Sequence, residues 1–226
     1  MQRAYLHQTF NEHPTTHAVV TFPEFDEETR AQLETLRRNH DPLAWRIAAH
    51  IEIIAPTTQS QAQLRHLLER VAEHAAAFPL LLRRAVAVQP PAPQRAEVWL
   101  IPDTGNSDLL QLHDQVLLDT GTRSLFDPRY YPHVTIAAHD DIAQCTRIAQ
   151  QMNDSGRRFS GLITALDLVT LRPQWVDRTA TFSLSAPTEP VALVEPADLT
   201  PVTPPVPLPN WPIPQPPRAQ APASRS

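Results

Sequence analysis

The feature that most constrains the fold of this chain is an order of predicted elements that occurs twice. Residues 47–101 and residues 131–185 each read as a strand containing a histidine, then a helix, then two further strands. Short apolar runs predict the strands, and apolar residues spaced three or four apart predict the helices. A repeat of this length favours a duplicated α+β unit over a short-period solenoid. We therefore expect two pseudo-symmetric lobes, each an antiparallel sheet with helices packed outside, around a central cleft.

Local patterns give approximate bounds for the elements. Acidic residues after position 26 favour a first helix, which Asp41-Pro42 ends. Thr57 or Thr58 is expected to cap the second helix, and Asp140 with Asp141 to open the fourth. The predicted helices begin near residues 26, 58, 108 and 141, and the predicted strands are 17–22, 47–54, 80–88, 96–101, 131–138, 162–171 and 179–184.

Each histidine strand carries a polar side chain two residues after its imidazole. His50 is followed by Glu52, and His133 by Thr135. Side chains alternate between the two faces of a strand, so the members of each pair point the same way. Opening a cyclic phosphate needs a base on the attacking water and an acid on the leaving oxygen. Two imidazoles, whose ordinary pKa is about 6.5, could supply both without a metal.

Composition excludes several other classes of function. The net charge is −5 and no stretch is strongly basic, which argues against non-specific binding of long nucleic acid. A small nucleotide or an RNA end is still compatible with this charge. All 19 basic residues are arginine, so a phosphate-loop lysine and Schiff-base chemistry are excluded. Cys145 is the single cysteine, and His13 with His17 lacks further ligands, so we expect neither a metal nor a cofactor.

The C-terminal region differs in composition from the rest of the chain. Of the 25 prolines, 13 lie in residues 187–226, which predicts a disordered, polyproline-like tail after a folded domain of residues 1–186. Residues 214–218 could bind a partner that recognises proline motifs. No apolar run approaches about 18 residues, so no membrane span is expected. We expect a monomeric, cytoplasmic protein.

The two histidine segments resemble the signatures of a known superfamily. Pro132-His133-Val134-Thr135-Ile136 is similar to the second signature of the 2H phosphoesterases, which include 2′-5′ RNA ligase-like proteins and cyclic nucleotide phosphodiesterases. Residues 36–56, around His50, resemble the first. The resemblance spans about residues 17–185 and implies a metal-independent cyclic phosphodiesterase or 2′-5′ ligase with His50 and His133 as the acid–base pair. Thr135 would then bind the phosphate, and Tyr131 is a candidate for stacking on a base.

Glu52 departs from the pattern of that superfamily, in which both signatures read His, any residue, then Thr or Ser. A carboxylate about 4 Å from a phosphate oxygen is repelled by roughly 4 kcal/mol at an effective dielectric near 20. The lost hydrogen bond adds about 1–3 kcal/mol. Protonation of Glu52, a neighbouring arginine or a substrate that presents a donor would relieve this. The alternatives are a catalytically impaired nucleotide-binding module, or a globule that anchors a functional tail.

Overall fold

Two antiparallel sheets form the framework of the protein in a computed structural model that describes residues 16–90, 95–119 and 130–186. The first sheet contains, in spatial order, β3 (Ile51–Thr57), β1 (Thr16–Thr21), β8 (Ala165–Leu171) and β9 (Val176–Ser183). The second contains β2 (Glu24–Phe25), β7 (Phe159–Ile163), β4 (Phe78–Val88), β5 (Ala96–Thr104) and β6 (Val134–His139). The predicted α+β class with two antiparallel sheets is confirmed.

The described residues include four helices, α1 (Glu27–His40), α2 (Gln61–His74), α3 (Asn106–Asp119) and α4 (Ile142–Asp154). Asp26 caps α1 by accepting from the Thr29 amide, and Asp141 caps α4, as expected. The predicted cap of α2 is wrong. Ser60, rather than Thr57 or Thr58, begins that helix, because Ser60 and Gln63 form a reciprocal capping box.

Each sheet combines strands from both sequence repeats. The first repeat places its histidine strand, β3, in the first sheet but its β4–β5 hairpin in the second. The second repeat does the converse, because β6 and β7 lie in the second sheet while the β8–β9 hairpin completes the first. The expectation that one repeat builds one lobe is therefore corrected. The two histidine strands lie at sheet edges, one in each sheet.

The exchange depends on a break that the sequence does not mark. Residues 162–171, predicted as one strand, form the end of β7 and the whole of β8, which belong to different sheets. Thr164 lies between them, and its hydroxyl donates to a Glu24 carboxylate oxygen at 2.7 Å. No proline or glycine stands at this corner, so residues 162–171 read as one strand.

Helix packing buries one large core between the sheets and their helices. α2 packs on β8 and β9, α3 contacts β3 and β5, and α4 covers β4, β5 and β6. α1 lies against β6, β7 and β2. All of these elements belong to one structural unit. In the part of the chain that the structure describes, no helix has the length and apolar character needed to span a membrane.

Candidate active site

Both predicted site histidines lie immediately before a strand rather than inside one. The predicted strand 47–54 begins at Ile51, one residue after His50, and the predicted strand 131–138 begins at Val134, one residue after His133. Residues 47–50, predicted as strand, are not part of one and follow a turn at residues 42–46. In this turn Asp41 accepts from the Leu43 amide, and Leu43 is buried against β1 and β8. The two imidazoles thus enter their sheets at equivalent positions.

The same backbone contact holds both imidazoles. Nδ1 of His50 lies 2.8 Å from the carbonyl oxygen of Ala48, and Nδ1 of His133 lies 2.6 Å from that of Tyr131. A carbonyl oxygen only accepts, so each Nδ1 carries the hydrogen and donates it. Proton exchange at either ring therefore takes place at Nε2. This repeated contact to the residue two positions earlier gives the two sites matching chemistry.

The residues two positions after the histidines lie as alternation predicts. In β3, Ile51 and Ile53 are fully buried while Glu52 between them is half-buried. In β6, Val134 and Ile136 are fully buried while Thr135 is half-buried.

Trp99 is the neighbour of His133 that the sequence does not reveal. Trp99 is paired with Thr135 in the β5–β6 register, and its ring stacks on the His133 ring with centroids 3.9 Å apart and planes 16° apart. The indole Nε1 donates to a Glu97 carboxylate oxygen at 2.6 Å, which fixes the indole. The stacked indole thus covers one face of the imidazole and restricts its position. The signal in the sequence is Glu97, an acid within the apolar run of residues 96–101.

Tyr130 connects the second histidine segment to the first histidine strand. Its hydroxyl donates to the backbone carbonyl of Glu52 at 2.9 Å, and its ring stacks on the His113 ring at 3.7 Å. His113 in turn donates from Nδ1 to the carbonyl of Ile53 at 2.6 Å. The backbone carbonyl of Tyr131, the candidate base-stacking residue, accepts the hydrogen bond from Nδ1 of His133.

Arg37 on α1 makes the second connection between the two histidine segments. This guanidinium is only 1% exposed. Its Nε donates to the Thr135 carbonyl at 3.2 Å, and its Nη1 donates to the Ile47 carbonyl at 3.0 Å. It pairs with Asp41 at 2.9 Å and with Glu34 at 3.2 Å. One buried cation therefore binds the backbone three residues before His50 and two residues after His133.

Glu34 extends this connection up to His50 itself. One of its carboxylate oxygens accepts from the Ala49 amide at 2.6 Å, directly before the imidazole. Across residues 16–90, 95–119 and 130–186, no three His, Cys, Asp or Glu side chains gather as a metal-binding group would. The described chemistry of the site is thus two oriented imidazoles, one hydroxyl and one carboxylate.

Comparison with known families identifies the class of protein that this fold and site belong to. The chain matches the family described as the 2′-5′ RNA ligase superfamily over residues 25–174, a region that contains both site histidines. The match covers more than half of the chain, so the protein belongs to this superfamily of 2H phosphoesterases. Comparison with curated proteins found no match.

Solved structures similar to this chain come from bacteria and yeast. TT0787 of Thermus thermophilus has a TM-score of 0.51 and 14% identity, covering 76% of this chain and 98% of that chain, and supports the fold. Escherichia coli LigT complexed with 3′-AMP has a TM-score of 0.48 and 17% identity, covering 76% and 99%. Usb1 of Kluyveromyces marxianus has a TM-score of 0.46 and 12% identity, covering 75% and 98%.

Proposed function

We propose that this protein is a metal-independent phosphoesterase that opens a 2′,3′-cyclic phosphate on a small nucleotide or an RNA end, with 2′-5′ ligation as the reverse reaction. The observation that carries the proposal is the matched backbone contact of His50 and His133. Both rings donate from Nδ1 to a backbone carbonyl, so both would exchange protons at Nε2. Membership of the 2′-5′ RNA ligase superfamily supports the same class of chemistry.

In the proposed reaction, one imidazole accepts a proton from water as its oxygen attacks the phosphorus. The bond from phosphorus to one ribose oxygen breaks, and the other imidazole gives that oxygen a proton. Thr135, two residues after His133, would donate a hydrogen bond to a non-bridging phosphate oxygen. Tyr131 remains a candidate for contact with the base. The described residues supply every proton transfer in this scheme.

The test is turnover of 2′,3′-cyclic nucleotides by purified protein in the presence of a chelator. His50→Ala and His133→Ala should each lower kcat by about 10²–10⁴-fold, because each removes one proton-transfer group. His66→Ala is the matched control, since His66 is an exposed histidine on α2. If the His50→Ala and His133→Ala variants are as active as the wild-type protein, or if none of the three turns over the substrate, the proposal is overturned.

A second candidate function is a nucleotide-binding module without hydrolysis, and Glu52 is the observation that favours it. The carboxylate occupies the place of a phosphate-binding hydroxyl and is half-buried, where repulsion from a phosphate is poorly screened. Measurable binding of a 2′,3′-cyclic nucleotide without turnover would support the module.

The tail, residues 187–226, lies outside the described residues, and we propose that it binds a partner that recognises proline motifs. Loss of a captured partner protein when residues 187–226 are removed would support this role of the tail.

A further inference from the structure

A concave surface lies beside His50. This side cleft has a volume of about 850 Å³, within the usual range of roughly 300–1,000 Å³ for small-molecule sites. Its wall includes Ala48 and Ala49, the two residues that precede His50. It also includes Phe22, whose ring centroid lies 6.1 Å from that of the His50 imidazole. The side cleft and the candidate active site therefore share a wall.

The side cleft offers flat surfaces suited to a planar ligand. Phe22 and Phe25 both line it and both are half-buried. The guanidinium of Arg178 stands 5.1 Å from the centroid of the Phe22 ring. Its Nε donates to Asp167 at 2.6 Å, and Asp167 is 1% exposed, so the guanidinium is anchored beside the ring. Aromatic rings and arginine planes are the surfaces on which unstacked bases are held.

The charges of the side cleft are balanced. Arg30 and Arg178 line it together with Glu24 and Glu34. The lining also includes the hydroxyl groups of Thr164, Thr181, Ser183 and Ser185. Those of Thr164, Thr181 and Ser185 already donate within the protein, so they are left as acceptors for a ligand. A phosphate subsite would present a surplus of cations. Equal numbers of acids and bases with several hydroxyl acceptors instead suit a neutral heterocycle that carries hydrogen-bond donors.

We propose that the side cleft binds a nucleobase adjacent to the reacting end, so that the preferred substrate is an RNA end of at least two nucleotides. This inference rests on the proposed function, because it assigns a second unit of the same substrate. A base held against Phe22 leaves the neighbouring phosphate next to His50. The candidate active site thus acts on the terminal phosphate while the side cleft selects for a longer chain.

The kinetic test compares adenosine 2′,3′-cyclic phosphate with the dinucleotide ApA that ends in the same cyclic phosphate. Wild-type protein should show about tenfold higher kcat/KM on the dinucleotide, the scale expected for stacking one base. Phe22→Leu keeps an apolar side chain and Arg178→Gln removes the guanidinium. Each should reduce the dinucleotide preference several-fold, mainly through KM.

Arg172→Gln is the matched control, because Arg172 also pairs with an acid of the same hairpin, Asp177, but does not line the side cleft. The control should keep the full dinucleotide preference. Equal kcat/KM on the two substrates in wild type, or an unchanged preference in both side-cleft variants, would overturn the inference.

A binding measurement separates failure of the inference from failure of the proposed function. If neither substrate is turned over, the phosphoesterase proposal fails, and titration with ApA and with AMP still tests the side cleft. About tenfold tighter binding of ApA, lost in Phe22→Leu, supports it. Equal affinities, or affinities that Phe22→Leu and Arg178→Gln leave unchanged, contradict it.

Discussion

Among single residues, Trp99 contributes most to the environment of His133. Stacking of the indole on the imidazole is worth roughly 0.5–1.5 kcal/mol. At the first site the geometry differs, since Phe22 is tilted by 54° and lies 6.1 Å from His50. In the proposed reaction, Trp99 would hold the ring of His133 more closely than Phe22 holds that of His50.

Replacement of Trp99 should therefore lower the rate of the proposed reaction. We expect Trp99→Leu to lower kcat on a 2′,3′-cyclic nucleotide about tenfold, because the stacked ring that positions the His133 imidazole is lost. Trp99→Phe retains an aromatic face and should recover most of the rate. Steady-state kinetics measures both variants, and an equal loss in the two would contradict a stacking role.

Removal of the Glu52 charge should strengthen nucleotide binding. We expect Glu52→Thr to lower the Kd for a 2′,3′-cyclic nucleotide at least tenfold, because repulsion of roughly 4 kcal/mol at about 4 Å is replaced by a hydroxyl donor. Glu52→Gln separates the loss of charge from the gain of a hydroxyl. Glu69→Thr, on the exposed face of α2, controls for net charge. Calorimetric titration reports the affinities, and an unchanged Kd in Glu52→Thr would exclude Glu52 as the obstacle.

The sequence predicts the placement of the polar site residues better than their surroundings. Strand alternation correctly places Glu52 and Thr135 opposite the buried positions of β3 and β6. The contact between each Nδ1 and a carbonyl two residues earlier depends on irregular backbone before each strand, which leaves no periodic pattern. Trp99 reaches His133 through cross-strand pairing, and a single sequence does not specify that register.

At the level of elements, α1 aligns the two histidine segments as well as covering the core. Its Arg37 is buried and forms ion pairs with two acids, Glu34 and Asp41. Asp41 is only 2% exposed. The bounds of α1 were predictable from Asp26 and from Asp41-Pro42. The role of Arg37 was not predictable, because an arginine on a helix is usually solvated. The two backbone carbonyls to which Arg37 donates lie 10 and 98 residues away along the chain.

Loss of Arg37 should destabilise the fold strongly. We expect Arg37→Met to lower the free energy of unfolding by about 3–5 kcal/mol, because Asp41 is left as an uncompensated buried charge. Arg38→Met, at an exposed position on the same helix, should change it by less than about 1 kcal/mol. Urea denaturation followed by circular dichroism measures both, and similar values for the two variants would argue against the buried connection.

At the scale of the whole molecule, two histidines outside the site couple stability to pH. Burial, followed by the positive charge of Arg172, lowers the pKa of His17, which also contacts the Thr170 hydroxyl at 2.9 Å. Burial, followed by the charge of His139, lowers the pKa of His40. Both groups are therefore harder to protonate in the folded protein than in the unfolded chain.

Acidification should consequently weaken the fold. In the unfolded chain these histidines take up protons near the ordinary histidine pKa of about 6.5. In the native state the lowered pKa of each group opposes protonation. The free energy of unfolding therefore falls as pH drops from roughly 7 to 5. His17→Gln should reduce this slope, and His66→Gln, exposed on α2, should not. Urea midpoints at several pH values give the slopes, and the same slope in His17→Gln as in wild type would contradict the assignment.

The exchange of strands between the two repeats governs how this chain can be assembled or cut. A nascent chain ending after β5 would contain β1 and β3 without β8 and β9, and the β4–β5 hairpin without β6 and β7. We therefore expect that neither repeat folds alone as an autonomous module. Ribosomal synthesis must release residues up to Ile163 before the second sheet, and up to Ser183 before the first sheet, acquires its full set of hydrogen-bonded neighbours.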